Sequence, residues 1–294
     1  MAVTATPPTS RLAGGVILGL LGILGFSFSF PATKLANAGL DAWLVAFGRA
    51  AVAAALAVVY LRLFPGPRPS RPQWARLAIV AAGAVIGFPV LSGLALVTAG
   101  SAHGAVVIAL LPAATALAAV ARAGERPGLA FWAAATAGMA VVVVFSVTQS
   151  RGGLAASDLL LLAAVAAAAF GYAEGGALAR DLGGARTIAW ALVLSAPLTV
   201  PVTAVLAATT GLDASASAWA GFAYVAAVSM FLGFVAWYAG LARGGVAKIG
   251  QLQLGQPILT LLWSAAVLGE HVGPGTLLAA VLVLACVVAT QRAR

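Results

Sequence analysis

The chain has 294 residues, of which 63% are hydrophobic and only 8% charged, against about a quarter charged in soluble domains. This excludes a soluble enzyme or binding domain: about ten helices of about 20 residues would use about 200 positions, so any function sits inside a membrane bundle. The net charge of +9 does not point to nucleic acid, because the basic residues are spread over connectors between apolar runs, and the single cysteine, Cys286, excludes a disulfide framework or a CxxC metal or redox site.

Helix 1 is expected over residues 12–33. It follows Arg11 and precedes Ala36-Asn37-Ala38, which has the look of a signal-peptidase site, but the apolar run is too long for a signal-peptide core and reads as an uncleaved span. Gly15, Gly19, Gly22, Phe26, Ser29 and Thr33 share one seam; its glycine end suits close helix packing, while Phe26, Phe28 and Phe30 offer an aromatic wall. Helix 2, over 42–63, carries Arg49 about two turns from its outer end, where a long cationic side chain reads as a snorkelling anchor. Helices 3 (74–97) and 4 (104–121) follow. In helix 4, Pro112 removes an intrahelical hydrogen bond and frees the Ile108 carbonyl. Helix 5 is expected over 128–148.

Helix 6, over 157–179, carries Tyr172, and Glu174 about five positions from its end. An intramembrane carboxylate suggests a proton or ammonium site, and one this shallow suits pairing with an interfacial arginine equally well. Helix 7 (187–210) leads to helix 8 (218–241), whose Trp237 and Tyr238 extend the aromatic wall. Helix 9, over 246–268, is the most polar segment at depth, with Gln251, Gln253, Gln256, Pro257, Thr260 and Trp263. At about 100° per residue, Gln253, Gln256, Thr260 and Trp263 share one face and Gln251 lies off it. Amides bind a carboxylate or an ammonium equally well, and interhelical bonding is the alternative role. Pro257 frees the Gln253 carbonyl as Pro112 frees that of Ile108. Helix 10 (275–291) ends the series, with Cys286 as a small packing residue. Lys34 and Lys248 read as interfacial anchors, His103 and His271 as residues in or beside loops, and Glu125 and Glu270 as turn residues.

With the N-terminus inside, 13 basic residues fall on the cytoplasmic side and three (Lys34, Arg49 and Arg151) do not, a positive-inside signal that puts both termini in the cytoplasm. The chain also repeats itself. Residues 97–128 match 242–273 at nine of 32 positions, including Gly100/Gly245, Pro112/Pro257, Thr115/Thr260, Gly124/Gly269, Glu125/Glu270 and Gly128/Gly273, against roughly three from composition. The starts of the halves correspond as well, Gly25-Phe26 with Gly171-Tyr172 and Lys34 with Arg180. The expected fold is all-α and integral to the membrane: ten helices in two five-helix repeats, residues 1–150 and 151–294. Five is odd, so the second repeat enters from the opposite side and the repeats are inverted. Such halves enclose a site that opens to either side in turn, the basis of alternating access.

The ten short helices, Lys34 closing helix 1, Arg49 early in helix 2 and the twice-repeated Pro-x12-Glu with its glycines resemble the drug/metabolite transporter superfamily, in its EamA-like branch, over essentially the whole chain. Within that branch the chain looks most like the YddG-type exporters of aromatic and other amino acids. The resemblance implies a bacterial inner-membrane protein with a central cavity lined by helices 1, 3, 4, 6, 8 and 9 and with helices 5 and 10 peripheral. Where the family often has a tryptophan in helix 1, this chain reads Gly25-Phe26-Ser27-Phe28-Ser29-Phe30.

Carriers of strongly anionic substrates need cations converging at the midplane, and the sequence shows none. Amides with aromatic surface suit a small amphipathic metabolite, an amino acid first and a drug exported by proton coupling second. No G-x-S-x-G, H-E-x-x-H or carboxylate cluster supports an intramembrane enzyme, and no charged ring or carbonyl filter supports a channel. No cofactor or metal is expected. The expected partners are the bilayer and the substrate, and a homodimer is allowed without being required.

Overall fold

The computed structural model describes residues 8–123, 128–149, 154–244, 249 and 251–293. Ten membrane helices run through them. Helix α1 is broken into Pro8–Ser27 and Ser29–Asn37; α2 is Ala42–Leu63; α3 joins Arg71–Val80, Ala81–Gly87 and Phe88–Thr98; α4 joins Ser101–Ile108 and Leu111–Ala123; α5 is Leu129–Gln149. The second half repeats the series: α6 is Ala156–Leu182, α7 Gly184–Thr210, α8 joins Ala216–Ala223, Tyr224–Leu232 and Gly233–Gly244, α9 is Gly255–Leu268 after a tight turn at Gln251–Leu254, and α10 is Pro274–Arg292. The spans of α1 to α8 are long and apolar enough to cross a membrane, and the apolar stretches of the last two, Leu252–Leu268 and Pro274–Thr290, are shorter.

Local chemistry sets the boundaries. Asp41 accepts from the N–H groups of Trp43 and Leu44, both at 3.0 Å, and starts α2. Gln73 reaches back to the Ser70 N–H at 2.9 Å and Pro72 occupies the first turn, which starts α3. Gly269 ends α9 with φ +66°, a left-handed conformation that a side chain would strain. Contrary to expectation, α1 does not stop at Thr33 but continues through Lys34 to Asn37. Its first turn after the break satisfies its own backbone, with Ala32 N–H on the Phe28 carbonyl at 2.9 Å.

A feature the sequence does not announce recurs in both halves: Ala81–Gly87 of α3 and Tyr224–Leu232 of α8 are wound as π-helix. At the repeat offset of 145 these stretches overlap. A π segment adds a residue per turn and rotates the faces beyond it. It brings Ala84 and its counterpart Ser229 to the same central cavity.

Packing follows the duplication. Helix α1 lies on α8 as α6 lies on α3, while α2 pairs with α7 and α5 with α10, as two inverted five-helix repeats require. The α1–α8 seam is tight: a Cβ on Gly22 would sit 2.9 Å from that of Trp237, and one on Gly240 2.8 Å from the Gly19 nitrogen. The glycine end of the helix 1 seam is therefore a packing surface.

Candidate functional site

At the centre of the bundle, between the halves, is a cavity lined by α1, α2, α3, α4, α6, α8 and α9. Its free volume is about 20 Å³, room for little more than one water. Ligand sites for molecules of metabolite size run to several hundred Å³ (roughly 300–1,000). The structure is thus a closed form, and admitting a metabolite requires the walls to part. A roomier groove of about 510 Å³ lies between α5 and α10, lined mainly by apolar groups such as Val141, Val144, Leu278 and Leu282, with Thr148 and Gln149 at one end of the α5 side. It lies between two peripheral helices, whereas the small central cavity is walled by both halves and holds the buried polar groups.

The aromatic and apolar wall comes from Phe26 and Phe30 of α1, Phe88 of α3, Tyr172 of α6 and Phe234 of α8. Phe234 packs edge-on against both Phe26 and Tyr172, with centroids 4.9 and 5.7 Å apart. Phe26 and Tyr172 occupy equivalent places in the two repeats, so the wall is built symmetrically. Its polar side is not symmetric. From α9 come Gln256 and Thr260, whereas α4 presents Ile108 and Leu111. The Gln256 side-chain oxygen is buried without a hydrogen-bond partner.

Arg49 requires a correction. It is not a snorkelling anchor: its side chain turns inward, is 4% exposed and lines the central cavity. Nη2 donates to Ser229 Oγ at 2.9 Å, and that hydroxyl meets Ser29 Oγ at 2.6 Å. A cation therefore does reach the centre, where the sequence showed none. The sequence signal was present in Arg49, but distance along the helix alone could not say which way the side chain points.

The other expected site residues divide. Phe26, Phe30, Tyr172, Gln256 and Thr260 meet at the cavity, while Phe28, Trp237, Tyr238, Trp263 and Gln253 stand outside its lining. Phe28 and Trp263 form an edge-on pair at 5.7 Å, with the Trp263 indole N–H on Ser27 Oγ at 3.1 Å. Trp237 is buried against Phe26. Tyr238 is fully buried, its hydroxyl directed at the Gly171 carbonyl 3.5 Å away. Gln253 is buried with its amide nitrogen unpartnered, and the Gln251 side chain lies outside the described residues. Pro112 follows directly on the break in α4, and Pro257 lies in the first turn of α9.

The break in α1 has a cause that the sequence reading missed. Pro31 lacks an N–H, which frees the Ser27 carbonyl four residues back, and Thr260 Oγ1 donates to that carbonyl at 2.7 Å. Glu174 pairs with Arg76 at 2.7 Å, the arrangement expected of a shallow carboxylate. His103 stands beside the Ala99–Gly100 connector, in the first turn of α4, and its Nε2 lies 2.6 Å from the buried Asp158 of α6, a pairing the sequence did not reveal. Glu270 accepts from the N–H groups of Ser101 and Ala102, at 2.8 and 2.7 Å, and so caps α4 from the second half. Its repeat partner Glu125, like Lys248, lies outside the described residues.

The model of the EamA-like transporter family matches the chain twice, over residues 13–147 and 155–290. The chain is 42% identical over 283 residues to the "Uncharacterized transporter YdeK" of Bacillus subtilis (strain 168), covering 96% of this chain and 99% of that protein. A solved crystal structure superposes with a TM-score of 0.63 at 20% identity, over 94% of this chain and 96% of its own. At that identity the likeness shows the fold.

Proposed function

Because the chain belongs to the EamA-like transporter family, a family of multi-pass membrane transporters and not of enzymes, we propose that it exports small amphipathic metabolites, amino acids with aromatic or apolar side chains first among them. In this reading it works as the YddG-type exporters do, by alternating access of its halves, residues 1–150 and 151–294, around the central cavity. The observation that carries the reading is the cavity itself: closed, central and walled by both halves, with ring faces on one side and hydroxyl and amide groups on the other. Such a lining suits a molecule with one apolar and one polar end. We place the protein in a bacterial inner membrane with both termini cytoplasmic, on the strength of 13 of 16 basic residues falling on that side.

The competing reading, a proton-coupled exporter of neutral or cationic drugs, draws on the His103–Asp158 pair, whose carboxylate is buried. A guanidinium on the cavity wall repels cationic drugs and gives a neutral one nothing to pair with, which favours the amino-acid reading, with Glu174 held by Arg76 in a structural role and export running down the amino-acid gradient. Counter-flow of labelled amino acids in vesicles reconstituted with the protein, with and without a pH gradient, tests this. Saturable counter-flow of an apolar or aromatic amino acid is expected without the gradient, and Gln256→Leu is expected to reduce it by at least fivefold with normal folding, since one hydrogen bond at a buried site is worth about 1 kcal/mol or more. Counter-flow of cationic drugs alone, or accumulation only under a pH gradient, overturns it.

A further inference from the structure

A buried cation inside a membrane protein is costly unless an anion or a full set of acceptors meets it. Arg49 has neither. Among the described residues its one hydrogen bond goes to a neutral hydroxyl, Ser229 Oγ, and its Nε is buried with no partner. Among the described residues the ion pairs are Arg76–Glu174 and His103–Asp158, so no carboxylate answers Arg49. Helix α7, which pairs with α2, carries no cation beyond Arg186 at its start. Among the described residues Arg49 is therefore the single charge on the cavity wall, and it faces the cavity from one side only.

We propose that Arg49, with the hydroxyls of Ser229 and Ser29, is the carboxylate-binding head of the transport site, and that the substrates are carboxylates bearing a compact apolar or aromatic side chain. This rests on the transport reading above and narrows it. A guanidinium presents its N–H groups as a planar fork that fits a carboxylate with two parallel bonds. In the closed, empty form Ser229 takes one of those N–H groups, and the 2.6 Å contact between Ser229 and Ser29 ties α8 to α1. A carboxylate arriving at the fork takes over the Arg49 bond and can accept from either serine, so binding the head group loosens a contact between α1, α2 and α8. The unpartnered Gln256 oxygen on the same cavity is an acceptor suited to the ammonium of a zwitterion. The rings of Phe26, Phe30 and Phe234 receive the side chain.

Three probes of nearly one shape separate the groups: L-phenylalanine, 3-phenylpropanoate, which lacks the ammonium, and phenethylamine, which lacks the carboxylate. Thermal stabilisation of the purified full-length protein is read for each, together with inhibition of amino-acid counter-flow in vesicles. Both acids are expected to stabilise and inhibit, and phenethylamine to be at least tenfold weaker. Arg49→Gln is expected to abolish the response to the acids, and Arg49→Lys, which keeps the charge without the fork, to weaken it at least tenfold. Phenethylamine acting as strongly as phenylalanine, no response to any probe, or unchanged affinity for the acids in Arg49→Gln overturns the assignment. If Arg49→Gln fails to fold, the wild-type comparison of acids with amine decides alone. Acids that bind without any counter-flow would leave the head group standing and refute the transport reading; amines that bind and move as well as the amino acids do would refute the head group and leave the transport reading standing.

Discussion

On one side of the pseudo-symmetry Thr260 of α9 donates to the Ser27 carbonyl of α1, while its repeat partner, Thr115 of α4, has a buried hydroxyl with no partner among the described residues. The two threonines are identical in the sequence alignment, and the difference lies in the helices they face. Helix α1 carries Pro31 and is broken at Phe28, so it has a carbonyl to give. Helix α6, which lies against α4, has Ala177 at the matching place and runs unbroken from Ala156 to Leu182. An intact helix uses its carbonyls internally. The duplication has therefore kept the scaffold and lost the symmetry of this polar contact: Thr260 of α9 grips a broken helix beside the cavity, while Thr115 makes no such bond and α4 meets α6 through His103 and Asp158 instead.

If the broken α1 is what lets the cavity open, restoring it does the greatest harm. Pro31→Ala supplies the missing N–H and removes the ring that crowds the preceding turn. The Ser27 carbonyl then returns to the helix, and Thr260 keeps only the Gln256 carbonyl of its own helix, 3.0 Å away. Transport is expected to fall at least tenfold while thermal stability is unchanged or raised. A variant that transports normally would show the break to be incidental.

The grip between the halves is also tested at Glu270, whose carboxylate holds the start of α4 through two charge-assisted bonds. Such bonds are worth about 1.5 to 3 kcal/mol, enough to shift a conformational equilibrium roughly tenfold. Glu270→Gln keeps the shape and removes the charge. A cysteine placed at Thr33, which is buried on α1 beyond the cavity, is expected to react with a membrane-impermeant thiol reagent several-fold faster in Glu270→Gln, on a Cys286→Ala background. Equal rates from that side would mean that the cap holds α4 without holding the closed state.

The sequence made much of this readable, and for identifiable reasons. Long apolar runs with polar breaks placed ten helices, because helix length in a bilayer is fixed by its thickness; most bounds fall within a few residues, but α9 starts at Gly255, nine residues after the expected 246. Side-chain direction was less legible. Gln256 and Thr260 followed from helical periodicity, but Arg49 did not: two turns from a helix end, its long side chain reaches either the interface or the interior, and only the packing of α2 against α8 decides. His103 and Asp158 were hidden for a different reason. They are 55 residues apart in the chain, at the ends of separate helices, and no local spacing links them. The π segments have no signature, since Ala81–Gly87 is composed of small and aliphatic residues that wind equally well as α-helix.

Valine in place of each threonine keeps the shape and removes the hydroxyl, which makes it the finest test of the comparison. Thr260→Val breaks a bond to a carbonyl with no helical partner, and a neutral hydrogen bond contributes about 0.5 to 1.5 kcal/mol, so counter-flow is expected to fall about threefold and thermal stability to drop. Thr115→Val takes away a buried hydroxyl that is bonded to nothing. Leaving such a group in an apolar setting is itself costly, by about 1 kcal/mol or more, so its removal is expected to raise the melting temperature by a degree or more and to alter counter-flow by less than twofold. The two substitutions are chemically the same, and any difference in sign measures what Pro31 changed. Equal losses in both variants would show that Thr115 has a partner in the working protein, and with it that α4 and α9 grip their neighbours alike.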